Sequence, residues 1–111
     1  MDTRSEYQRL IKNILLEYSK FNPAYGNIDS KVLFDDERGS YALLQVGWEG
    51  TEYVHGDVIH IDLIGDQIWI QYDGTEEGVA SELVEAGVPR EKIVLGFRPP
   101  KLRQHTGFAV G

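Results

Sequence analysis

Residues 65–89 read GDQIWIQYDGTEEGVASELVEAGVP, and this one stretch holds a turn, a strand, a helix and a helix stop. Gly65 and Asp66 suit a two-residue hairpin turn. Ile68, Ile70 and Tyr72 alternate with Trp69 and Gln71, the period of a strand. Thr75 has the chemistry of an N-cap, and Glu76 and Glu77 put negative charge where a helix dipole favours it. Val79, Ala80, Leu83 and Val84 then fall on one stripe. Gly87 in the left-handed conformation ends the helix, with Val88 returning to Leu83 in a Schellman-type turn and Pro89 barring continuation.

Working back from Gly65 and Asp66, the hairpin sets Ile64 opposite Gln67, Leu63 opposite Ile68, Asp62 opposite Trp69, Ile61 opposite Ile70 and His60 opposite Gln71. Alternation then sorts the side chains. Ile59, Ile61, Leu63, Ile68, Ile70 and Tyr72 are expected to meet helices, while His60, Asp62, Trp69 and Gln71 share the other face. Further upstream, KVLF (31–34) and SYALLQVGW (40–48) read as strands joined at DDERG, and EGTE turns the chain into YVHGDVIHIDLI (53–64). Before them, Tyr7, Leu10, Ile11, Ile14, Leu15 and Tyr18 recur at steps of three and four, predicting a helix from about Ser5 to Lys20. Lys12, Asn13, Glu17 and Lys20 take its outer face. Thr3 and Glu6 have capping-box spacing, and Pro23 ends the helix by disfavouring helical geometry at Asn22.

Beyond Pro89, KIVLGF is a short buried segment, strand or helical turn. RPPKLRQHTGFAVG follows as an irregular tail anchored by Phe108 and Val110. The expected fold is α+β: an antiparallel four-stranded meander with N-terminal and C-terminal helices on one face, forming a single domain over residues 1–111.

The 111 residues are 41% hydrophobic and 26% charged, the balance of a globular chain, and the absence of cysteine excludes disulfides, thiolate nucleophiles and Cys-based zinc sites. Neither a signal core nor a membrane-length apolar run is present, so a cytoplasmic location without membrane contact is expected. The net charge of -7 is polarised, with +4 in residues 90–111 and -11 in the rest. An acidic chain repels DNA at long range. The basic tail reads first as folding back on the acidic body, and second as a phosphate-contacting patch of Arg98, Lys101, Arg103 and His105.

HGDVIHID brings His55, Asp57, His60 and Asp62 close in sequence. In a regular strand the first two and the last two lie on opposite faces, and only a bulge near Gly56 gathers all four. The run therefore reads as a polar sheet face, with no metal or other cofactor expected. Ser40 and Ser81 lack a nucleophile elbow, Asp35, Asp36 and Glu37 read as a solvated turn, and the glycines form no phosphate cradle. No catalytic constellation results. Trp69 beside His60, Asp62 and Gln71, extended by Trp48, has instead the mixture found at protein interfaces. Cover by a helix or the tail within the monomer is an equal reading.

Taken in order, LLEYSKF, Gly47 with Trp48, IWIQ (68–71), the DGTE turn, GVP (87–89), IVLGF and RQHTGFA make the whole chain resemble the XisI family of fdxN element excision controlling factors. That resemblance implies an accessory, non-catalytic role in programmed excision of a DNA element from a nitrogen-fixation operon, during differentiation of nitrogen-fixing heterocysts. It also implies an XisH-like partner and a separate recombinase, XisF, that cuts and rejoins the strands, so that any relation to DNA is indirect. Homo-oligomerisation, a directionality role with direct DNA contact, and a broader role with an XisH-like partner unrelated to excision all stay open. No catalytic residue carries over.

Overall fold

The computed structural model describes residues 3–20 and 27–111. Helix α1 (Thr3–Ser19) leads into strands β1 (Asn27–Asp35), β2 (Ser40–Glu49), β3 (Glu52–Ile64) and β4 (Gln67–Asp73). Helix α2 (Val79–Glu85), a 3-10 turn at Arg90–Lys92, strand β5 (Ile93–Leu95) and a short helix α3 (Pro100–Arg103) complete the chain. The sheet order is β1-β2-β3-β4-β5. The first four strands form the expected meander. The fifth strand corrects the four-stranded expectation: KIVLGF pairs in parallel with β4, Ile68 to Ile93 and Ile70 to Leu95, once α2 has carried the chain back along the sheet.

One core lies between the sheet and the two longer helices. Tyr7, Ile11 and Leu15 of α1 and Val79 and Leu83 of α2 meet Leu43, Ile59, Ile61, Leu63, Ile68 and Ile70, all buried. The periodicity of residues 7–18 is thus the packing stripe of α1. That helix begins at Thr3, so Thr3 is not a cap outside it, and Glu6 pairs with Arg9 a turn later. The proposed stop at Asn22 and Pro23 lies outside the described residues. Strand β1 starts at Asn27, well before KVLF, and stays in register with β2 throughout.

The turn after β1 is tied to α1. Asp36 receives Lys12 Nζ at 2.9 Å and the Tyr41 hydroxyl at 2.8 Å, and its carbonyl accepts from Gln8 Nε2 at 3.0 Å. These contacts hold the Asp36 carboxyl below its usual range, Lys12 most and Tyr41 next. At the other end of α1, the Tyr18 hydroxyl donates to Glu82 of α2.

Two irregularities decide which side chains face the helices. Leu43 pairs with Ile59 but Leu44 with Asp57, leaving Val58 as an extra residue in β3. Ile61 pairs with Ile70 but His60 with Tyr72, leaving Gln71 extra in β4. The predicted register holds from Ile64 and Gln67 through Ile61 and Ile70, then slips by one. A one-residue slip reverses the face of everything beyond it. Tyr72 accordingly joins His60 on the outer face and is 49% exposed, not packed under the helices as expected.

The same slip aims Asp73 at α2. Its Oδ2 accepts from the Val79 N–H at 2.8 Å, and its Oδ1 accepts from the Thr75 N–H and hydroxyl. Thr75 is therefore not the N-cap. It sits upstream and accepts from the Gly78 N–H, and Glu76 and Glu77 precede the helix. The far end follows expectation: Gly87 has φ 103°, its N–H donates to the Val84 carbonyl, and the Val88 N–H donates to the Leu83 carbonyl. In the tail Phe108 packs against the core, whereas Val110 is exposed.

Gly87→Ala meets no atom but must hold a left-handed conformation, and should lower unfolding free energy by about 1 kcal/mol. Gly47→Ala should cost more, over about 2 kcal/mol, since its Cβ would lie 1.9 Å from the Asn27 carbonyl oxygen and push β1 off β2. Urea titration of both variants measures the difference. Burial, and then donation to Glu82 and Asp36 respectively, pushes Tyr18 and Tyr41 up to about 12. Because these folded values exceed an unfolded value of about 10, the stabilisation is complete below pH ~10 and disappears as pH climbs towards ~12. Phenolate absorbance should show a late-ionising pair that Tyr18→Phe and Tyr41→Phe remove one at a time.

Candidate interaction surface

The sheet face turned away from the helices follows from the cross-strand pairs. Leu33, Ala42 and His60 form one row, Lys31, Leu44 and Asp57 the next, then Asp29, Val46 and His55, and finally Asn27, Trp48 and Tyr53. The extra residue at Val58 brings His55 and Asp57 onto the face that His60 and Asp62 occupy. The bulge that would gather all four is thus present, displaced from Gly56 to Val58. Among the described residues, however, no group of three or more His, Cys, Asp or Glu lies close enough to hold a metal ion. His60 and Asp62 form a pair, with His60 Nε2 3.1 Å from Asp62 Oδ1, and Gln71 Nε2 donates to Asp62 Oδ2 at 3.2 Å.

The tail divides this face into a covered and an open part. Over β4 and β5, the Arg103 guanidinium lies 5.1 Å from the centre of the Trp69 ring. Arg103 also donates to the carbonyls of Arg98 at 3.1 Å and Gly96 at 3.3 Å, which fixes its plane on the indole. Ala109 bridges to Val94, and Val94 is fully buried although it lies on the outer side beside Trp69. The Trp69 indole N–H is shut in with no acceptor among the described residues. Intramolecular cover is therefore the fate of Trp69.

Over β1–β3 the face is open. Leu33 is 58% exposed, Trp48 53% and Tyr53 52%, with the Trp48 and Tyr53 rings 5.0 Å apart and Tyr53 stacked on His55. Of the five residues singled out in the sequence, His60, Asp62, Trp69 and Gln71 lie together at the edge of the covered part. Trp48 does not join them. It lies eight residues along β2 from Ser40, the neighbour of Asp62, a separation of roughly 27 Å at strand rise. Tyr53, Leu44 and Val46 escaped the sequence reading. For Leu44 and Val46 the signal was the apolar character of both faces in SYALLQVG, which alternation assigns to one face only.

The four candidate phosphate contacts have different surroundings. Arg98 stands over the Phe97 ring at 5.2 Å and, like Lys101 and His105, is exposed. Arg103 is committed to Trp69 and two carbonyls. Elsewhere in the basic segment, Lys92 pairs with Asp66 and Arg90 covers the Phe108 ring.

This arrangement can be set beside known proteins. The family model described as XisI protein matches residues 1–110. The chain belongs to the XisI family. A crystal structure of an XisI-like protein from Anabaena variabilis ATCC 29413 is 37% identical, covers 97% of this chain and 99% of its own, and superposes with a TM-score of 0.91. The structure of fdxN element excision controlling factor XisI from the same organism is 29% identical, with 99% and 100% covered and a TM-score of 0.86. A comparison with curated proteins found no match. The five-stranded sheet with its helices is thus the architecture of XisI-like proteins. Among the described residues no helix is long and apolar enough to cross a membrane.

Arg103→Ala should free the tail from Trp69. In a Trp48→Phe background, so that one indole reports, emission should shift to the red and stability fall by roughly 1–2 kcal/mol. Unchanged emission would show that the tail is held by other contacts.

Proposed function

We propose that this XisI-family protein is an accessory regulatory factor in excision of the fdxN element, acting in the cytoplasm through contact with an XisH-like partner. The reading takes its biological role from the printed name of the second structural relative and from the family. The observation that carries the mode of action is the open face of β1–β3. Leu33, Trp48 and Tyr53 are each more than half exposed on one side of one sheet, flanked by Leu44 and Val46. Exposed aromatics grouped on a rigid surface are the side chains that dominate binding energy when a partner excludes water from them.

In this reading the protein does no chemistry. A separate recombinase, XisF, cuts and rejoins the strands, and this protein contributes by occupying or positioning its partner. The net charge of -7 opposes approach to DNA phosphates, so the contact with DNA is made by others. The setting is the differentiation of nitrogen-fixing heterocysts.

Purified protein mixed with its XisH-like partner should elute as a joint complex in size exclusion with light scattering. Trp48→Ala with Tyr53→Ala should weaken that complex at least about tenfold, the loss of one strong anchor. Arg98→Ala with Lys101→Ala should leave it intact. Two separate peaks at micromolar concentration would overturn the proposal, and loss confined to the basic variants would move the contact to the tail.

A further inference from the structure

The two edges of the sheet are built differently. Strand β5 is three residues long, and its outer side is closed by Ala109, whose N–H donates to the Ile93 carbonyl at 2.8 Å. Strand β1 is nine residues long, pairs without a break to β2, and has no strand on its outer side among the described residues. Edge strands are ordinarily kept from pairing by brevity, a proline, a bulge, an inward charge or charged edge side chains, lysine above all, and of these β1 has only the edge charges Asp29, Lys31 and Asp35. Residues 27–35, NIDSKVLFD, have no proline and no bulge. Their charges, moreover, are arranged to match a copy of themselves.

We infer that β1 is a self-pairing edge: two copies of this chain join β1 to β1 in antiparallel register across a two-fold axis. The register centred on Ser30 sets Asp29 opposite the second copy's Lys31 and Ile28 opposite the second copy's Val32, and the axis repeats each pair. Other registers fail on charge or length. Centring on Lys31 puts two ammonium groups opposite each other, centring on Val32 opposes Asp29 to Asp35, and centring on Leu33 shortens the paired run to residues 31–35. Like charges directly opposite destabilise a strand pair, and opposite charges stabilise it. Neither Asp29 nor Lys31 has an ion pair or side-chain hydrogen bond within the described residues, so both are available.

Antiparallel pairing across an edge requires the two-fold axis to stand perpendicular to the sheet, which puts the α1 helices of both copies on the same side. Beside β1 on that side, Leu16 of α1 and Phe34 are partly exposed and line a shallow groove with Gln8, Lys12 and Asn13. Both copies place this groove on the same side of the joined sheet, where it flanks the backbone ladder. This inference is independent of the XisH-like partner, whose surface is the opposite sheet face.

Sedimentation equilibrium of the purified chain, from micromolar to near-millimolar concentration, should give a species of twice the 12.6 kDa chain mass. Lys31→Asp alone, and Asp29→Lys alone, should each weaken association at least about tenfold, because the reversal acts at two symmetric places. The double swap D29K with K31D should restore it. Circular dichroism melts confirm that each variant folds. A wild-type chain that stays monomeric throughout, or a dimer indifferent to both single reversals, would overturn the inference.

Discussion

The side chains of this sheet are distributed by two extra residues, Val58 in β3 and Gln71 in β4. Without them, strict alternation would carry one set of side chains along the whole length of each strand. With them, β3 presents Ile59, Ile61 and Leu63 to the helices and yet shows Tyr53, His55 and Asp57 on the same outer face as His60 and Asp62. In β4 the slip sends Tyr72 outward and turns Asp73 inward, where its carboxylate meets the first N–H of α2. A helix of seven residues has little stability of its own, so its start has to be held by a partner. The position of α2, and through Leu83 and Val79 the closure of the core, follows from one residue's displacement in a strand.

A sheet with apolar side chains on both faces must cover the second face or use it. This chain covers part of it and leaves the rest exposed. The tail covers Trp69 and Val94 with few apolar residues of its own, relying on a cation over the indole and on bonds from Arg103 to its own backbone. Such a cover is modest in energy: a cation over an aromatic ring contributes about 0.5–2 kcal/mol, and the indole N–H beneath it has no acceptor among the described residues, which works against closure. The open part, with Trp48 and Tyr53 at its end, has no cover among the described residues. One half of the face is thus closed weakly and the other stays exposed at Leu33, Trp48 and Tyr53.

Much of the fold could be read from particular residues. The stripe from Tyr7 to Tyr18, the turn at Gly65 and Asp66, four consecutive cross-strand pairs and the end of α2 at Gly87 are all local features, set by side-chain period or by one backbone conformation. The rest depended on distant parts of the chain. No residue in IWIQYD marks Gln71 as extra; its displacement comes from the fit between β3, β4 and the start of α2. Thr75 has the chemistry of a cap, but Asp73 reaches the helix first. Strand β5 exists because α2 returns the chain along β4. The candidate surface was legible as a residue type, an aromatic among polar neighbours, yet not as a place, since Trp48 and Trp69 lie on the same face at opposite ends. The family was legible in the order of short motifs, none of which is decisive alone.

The open face and the edge of β1 are adjacent, and their geometry links them. Asp29, Lys31 and Leu33 belong to the rows that contain Val46, Leu44 and Ala42, so an edge-to-edge pair extends the open face across the axis without covering it. Because the axis stands perpendicular to the sheet, both open faces look the same way, away from both pairs of helices. Two identical surfaces on one side of a rigid platform bind a partner that is itself paired, or two partners held close together, far more tightly than either surface alone. The second contact forms at an effective concentration set by the sheet and not by the solution. In the proposed arrangement a small acidic protein with modest individual contacts would gain affinity for an assembly from its β1 edge and from the sheet face opposite α1 and α2.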